Sequence, residues 1–169
     1  MNPQYRTHKL GDNFVMVIGV SKFDVAKEWE LVKELHAASN GAVSIQAVRA
    51  DAVFGIDHIL EVLKISLEAE KRNIKLVSRT EMDLLLRVSC TNQLSKALID
   101  AGLTNRTPGC FILFSRDRTM LMKVAEHICG LDVKVDNSAL KPTKRKQELI
   151  CKYLGVRLNK NLSPYPSFT

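Results

Sequence analysis

The apolar residues of this chain change period along its length, from strand-like to helix-like and back. That alternation constrains the fold more than any other feature. Residues 14–20, FVMVIGV, form a β-branched run bounded by Gly11 and Ser21 and read as a buried strand. Asp24 then offers a helix cap. Val25, Trp29, Val32 and His36 recur at helical spacing with Leu35 beside them, and Asn40-Gly41 stops the helix. Val43, Ile45, Ala47 and Arg49 alternate as a second strand. Asp57 is placed to cap the next helix, which carries the stripe Ile56, Ile59, Leu60, Leu63 and Leu67 and ends near Lys71-Arg72-Asn73.

Beyond a connector, Leu84 to Val88 reads as a strand. Thr91 caps a short helix with Leu94, Ala97, Leu98 and Ala101 on one face, closed by Gly102. Cys110 to Phe114 reads as another strand. Asp117 opens a helix carrying Met120, Leu121, Val124 and Ile128, closed by Gly130, and Leu131 to Val135 reads as a short strand. Pro142 suits the first turn of a last helix, with Leu149, Ile150, Tyr153 and Leu154 inward. Such alternation predicts an α/β (or α+β) layer domain over residues 1–155, its central mixed sheet covered by helices. The Pro- and Ser-rich tail, residues 156–169, is expected to lie loose.

Composition supports one domain with a real core: 169 residues, 46% of them hydrophobic. A membrane span needs about 20 consecutive apolar residues, and no run here comes near that. The opening MNPQYRTHKLGDN lacks the apolar stretch of a signal peptide, so a cytoplasmic protein is the expectation. Cys90, Cys110, Cys129 and Cys151 show no zinc-type spacing and read as free thiols acting as small buried hydrophobes.

No catalytic, cofactor or metal motif is legible. The chain has no P-loop, no GxGxxG, no GxSxG and no HExxH, and its eight glycines do not cluster. His8, His36, His58 and His127 are not spaced as metal ligands and read as structural. A thiol or imidazole enzyme would have to use Cys90 or His58. No cofactor or metal is expected.

The net charge of +7 points to an anionic partner, nucleic acid or membrane surface. It is not evenly spread. Residues 71–79 hold Lys71, Arg72, Lys75 and Arg79 with no acid. Residues 141–160 hold Lys141, Lys144, Arg145, Lys146, Lys152, Arg157 and Lys160 against Glu148 alone. The remainder of the chain is slightly acidic. Clustered cations neutralise phosphates and release counterions, the main source of sequence-independent nucleic-acid affinity. Arg87, inside an apolar run, needs a partner or an exposed face. No aromatic residue lies between Lys71 and Lys96, so an RRM-type stacking sheet is disfavoured and contacts to phosphate, ribose and base edges are expected.

Residues 83–98, DLLLRVSCTNQLSKAL, resemble a stretch of the form E-I-L-L-x-x-[SA]-G-x-R-Q-I-x-x-A-[IL]. Asp83 stands at the acidic position, Leu84 to Leu86 at the apolar run, Ser89 before Cys90 at the Gly position, and Asn92 at the Arg position. Gln93, Leu94, Ala97 and Leu98 follow the pattern. That form is carried by the tRNA-recruiting small subunit of the KEOPS complex, the TPRKB family of eukaryotes and its archaeal relatives. The long amphipathic helix ending in a basic, Asn-containing turn, Lys71-Arg72-Asn73-Ile74, is similar to the same family, and the order of elements fits from Phe14 to Gly155.

The resemblance implies a non-catalytic subunit that binds the KEOPS kinase/ATPase subunit and recruits tRNA by its 3′ CCA end, for synthesis of threonylcarbamoyladenosine. Lys71, Arg72, Lys75, Arg79, Arg87, Asn92, Gln93 and Lys96 are the candidate tRNA contacts. Lys144, Arg145, Lys146 and Lys152 form a second basic patch, and Leu149 and Tyr153 are candidates for kinase docking. The alternative is a generic basic RNA-binding or ribosome-associated module without a kinase partner.

Overall fold

Two strands, Asn13–Val20 (β2) and Gly109–Ser115 (β4), are buried along almost their whole length, and they organise the molecule. A strand covered on both faces reads as a continuous apolar run rather than an alternating one. Val15, Val17, Cys110, Ile112 and Phe114 enter one core; Met16, Ile18, Val20, Phe111 and Leu113 enter the other. The computed structural model describes residues 6–131 and 133–155, apart from the side chains of Val25, Glu28 and Tyr153.

The sheet has the order Thr7–Leu10 (β1), β2, β4, Ser44–Arg49 (β3). Strand β1 forms a hairpin with β2 through Gly11-Asp12, and Gly11 supplies the positive φ of 57° that the turn needs. Strand β3 closes the other edge against β4. All three ladders are antiparallel, so the expected central sheet is present but is not mixed. The β1 strand was not anticipated; its signal is the Gly-Asp pair between two short runs.

One face of the sheet carries Val25–Ala38 (α1) and Arg118–Gly130 (α5). Asp24 and Asp117 cap these helices as expected, accepting from the backbone N–H of Lys27 and Met120. The other face carries Gly55–Lys71 (α2), Thr80–Val88 (α3) and Leu94–Ala101 (α4). Lys144–Tyr153 (α6) follows, capped by Thr143. Arg49 ties α4 to the sheet edge, donating to the carbonyls of Ile99 and Asp100 at 3.3 and 2.6 Å.

Three expectations are corrected. Leu84–Val88 is the C-terminal half of α3, not a strand. A short run of leucines fits either element, and Leu is a strong helix former. The Asp83–Arg87 pair at i,i+4 spacing was the helical signal within it. Among its described residues, Leu131 to Val135 provides one bridge, Val20 to Val135, and no strand. Asp57 lies in the first turn of α2 without capping it; Phe54 is the cap residue and its N–H is accepted by Nδ1 of His58 at 3.0 Å. The tail expectation lies outside the described residues. Among those described, no helix is long and apolar enough to cross a membrane.

Candidate nucleic-acid-binding groove

The basic segment 71–79 begins where α2 runs out. Arg72 is the helix C-cap, and Asn73 turns left-handed at φ 56°, a conformation Asn tolerates well. The connector is then fastened by its own polar groups. Lys75 reaches the carbonyl of Ser78, the hydroxyl of Thr80 (3.3 Å) and the carboxylate of Glu70 (3.7 Å). Thr80 donates to Glu70 at 2.6 Å. The backbone N–H of Leu76 donates to the buried carboxylate of Asp83 at 2.7 Å.

At the far end of α3, Ser89 returns its hydroxyl to the carbonyl of Leu85 at 2.8 Å. Cys90 adopts φ 52°, and Thr91 Oγ1 accepts from the N–H of Gln93, the N-cap of α4. Thr91 thus supports the start of α4 from two residues before its cap.

Between these two turns lies an open groove of about 550 Å³. Val62 and Ile65 of α2, Leu76 of the connector and Leu86 of α3 supply apolar walls. Arg87, Cys90, Thr91 and Asn92 supply the polar end. The volume is within the usual range for small-ligand sites, and apolar walls with a few placed polar groups are the usual composition. Ile65 and Leu76 are half exposed there, and Ile74, next along the connector, is more so.

The eight candidate RNA residues separate by position. Arg87 and Asn92 line the groove. Arg72 lies two helical turns beyond Ile65 on the same face of α2, exposed and paired to Glu68 at 2.7 Å. Arg79 is exposed and paired to Glu81. Lys96 is exposed on α4 and paired to Asp100 at 2.5 Å, and Gln93 is exposed at the start of that helix. Lys71 lies instead beside the β1–β2 turn, near Gly11. Lys75 is turned inward, with its side chain only 18% exposed, and holds the connector together. Arg87 is also engaged: its Nε donates to Asp83 at 2.6 Å. Burial pushes the Asp83 carboxyl up, but the hydrogen bonds from Arg87 and Leu76, with the Arg87 charge, more than offset this and hold it below the usual range.

The second basic patch is divided too. Lys144, Arg145 and Lys152 are exposed, whereas Lys146 is buried and donates to the carbonyl of Ala139 at 2.6 Å, its pKa lowered by burial. Leu149 is half buried, and the side chain of Tyr153 lies outside the described residues. The thiols are all free, but of the four expected to be buried only Cys110 is; Cys129 and Cys151 are half buried and Cys90 is exposed. Burial of its sulfur atom nevertheless pushes its pKa up, the direction opposite to that of an activated nucleophile. His58 is engaged in holding the start of α2. No group of three or more metal-ligating side chains occurs among the described residues.

The aliphatic lining was not anticipated as part of a site. Its sequence signal was modest: Ile65 falls off the core stripe of α2, and Leu76 is an apolar residue within a basic segment. No known family model matches the chain, and no curated protein matches it.

Proposed function

We propose that this chain is a non-catalytic, tRNA-binding subunit of a KEOPS-type assembly, and that the groove between α2, α3 and the α3–α4 turn receives the single-stranded 3′ CCA end. The observation that carries this reading is the convergence of Arg87 and Asn92 with an aliphatic slot open to solvent. The slot offers flat aliphatic surface at Ile65 and Leu76 for an unstacked base, consistent with a segment that lacks aromatics. Arg87 and Asn92 offer donors for phosphate, ribose or a base edge.

Arg72, Arg79 and Lys96 stand exposed outside the slot, each already paired to a carboxylate. The Arg72–Glu68 pair is exposed on both sides and worth roughly 0–1 kcal/mol, so a phosphate competes readily for that cation, whereas the carboxylates of Glu81 and Asp100 are largely buried. The conformation of Cys90 adds support: φ 52° is the region that favours glycine, and glycine is what the resembling pattern has there.

For the kinase/ATPase subunit, exposed aliphatic surface is richer on α4 than on α6. Leu94, Leu98 and Ile99 are exposed on α4, whereas on α6 Leu149 is half buried and Leu154, expected inward, is exposed at the C-cap. We therefore place docking on α4, with α6 the second choice.

The test is charge reversal at the rim. Arg72→Glu with Arg79→Glu is expected to weaken tRNA binding by at least about tenfold at low salt, with the circular-dichroism spectrum retained. Unchanged affinity in a folded variant contradicts the assignment.

A further inference from the structure

The two walls of the groove are joined by one buried carboxylate. Asp83 has no solvent-exposed surface. Its Oδ2 accepts from Nε of Arg87 at 2.6 Å, and its Oδ1 accepts from the backbone N–H of Leu76 at 2.7 Å. Leu76 and Arg87 both line the groove, but they belong to different elements, the α2–α3 connector and the last turn of α3. Asp83 holds a polar contact to both.

We propose that Asp83 is the positioning residue of this groove: it fixes the Arg87 guanidinium and the Leu76 backbone relative to each other before any ligand arrives. The inference rests on reading the groove as the RNA site. The physical reason is preorganisation. An unrestrained arginine carries several rotatable bonds, and freezing them on binding costs affinity. Asp83 engages Nε of Arg87 at 2.6 Å and Nη2 at 3.5 Å, and the Arg87 side chain remains 23% exposed for an incoming oxygen. The same carboxylate keeps the connector, and hence the Leu76 side chain, at a fixed distance from Arg87. Asp83 itself is too deeply buried to touch RNA.

Two variants separate the contacts. Asp83→Asn keeps an acceptor for Leu76 but removes the charge that orients Arg87. Asp83→Ala removes both. Each is measured by tRNA affinity, by the Nε–H resonance of Arg87 and by hydrogen exchange of the Leu76 amide. The expected result is a weakening of about tenfold for Asp83→Asn and more for Asp83→Ala. The Leu76 amide stays protected in the first and exchanges rapidly in the second.

A double-mutant cycle distinguishes positioning from a merely structural role. In an Arg87→Ala background, Asp83→Asn should weaken binding no further. The same tenfold loss in that background overturns the proposal, as does wild-type affinity in a folded Asp83→Asn chain. Failure of the wild-type chain to bind any tRNA overturns the RNA reading instead. The fixing of the two walls is then judged by exchange alone: rapid exchange of Leu76 only in Asp83→Ala upholds it, and equal protection in all three chains overturns it.

Discussion

Cys90 occupies a backbone region that costs an L-residue about 1–2 kcal/mol, and it does so on the surface, where its side chain gains little from packing. Glycine removes that strain but loses more chain entropy on folding, so the net gain is smaller. Cys90→Gly is expected to stabilise the chain by about 0.5–1 kcal/mol, and Cys90→Val to destabilise it, as read by thermal unfolding. Equal stability of the three chains contradicts the conformational argument. Single-residue roles were unevenly legible in the sequence. Asp24 and Asp117 were readable as caps because a cap is a local signal. The partnership of Lys75 with Glu70 and Thr80, and of Lys146 with Ala139, was not. Each depends on a turn that brings separated residues together, so these lysines counted as free surface charge when they are structural.

At the scale of elements, the helices and strands with a strong apolar period were legible, and the errors fall where the period is ambiguous. Leu84 to Leu86 are all fully buried because α3 lies between α2, α4 and the sheet. Three consecutive buried leucines in so short a segment fit a buried strand as well as a helix. The start of α2 was misread for a different reason. The helix has no side-chain cap: Asp57 lies within its first turn, and Nδ1 of His58 accepts from the N–H of the cap residue Phe54.

That arrangement has a pH consequence. Burial holds the His58 pKa below its ordinary 6.5, and burial together with Arg6 does the same for His8 against the opposing pull of Asp57. The unfolded chain therefore takes up protons first. Stability is full above about pH 6.5 and falls as the pH drops through the folded-state values. Chemical denaturation at pH 7.5 and 5.5 should show the lower stability at pH 5.5. His58→Asn, whose Oδ1 can accept the same N–H, should lose part of that dependence. An unchanged slope in the variant contradicts the role given to His58.

The whole molecule is an antiparallel sheet between two helical layers, and the proposed RNA path runs only over the α2-α3-α4 layer. The layered class followed from the alternating period. The strand order and the β1 hairpin did not, because pairing partners are set by long-range geometry that one sequence does not display. The net charge of +7 narrows in the same way. Lys75 and Lys146 are committed to internal contacts, and the charge of Arg87 is matched by Asp83. The exposed cations on the groove side are Arg72, Arg79 and Lys96, few enough that charge alone would make a weak and indiscriminate RNA binder.

Selectivity then has to come from the groove, and the central claim is that the groove takes a single-stranded 3′ end. The direct measurement is a titration of the full chain with tRNA and with the same tRNA lacking its 3′ CCA, at one fixed salt concentration. The account predicts at least about tenfold weaker binding of the truncated tRNA, because the base and ribose contacts are lost while most phosphates remain. Equal affinity for the two contradicts it and leaves a generic basic RNA-binding module.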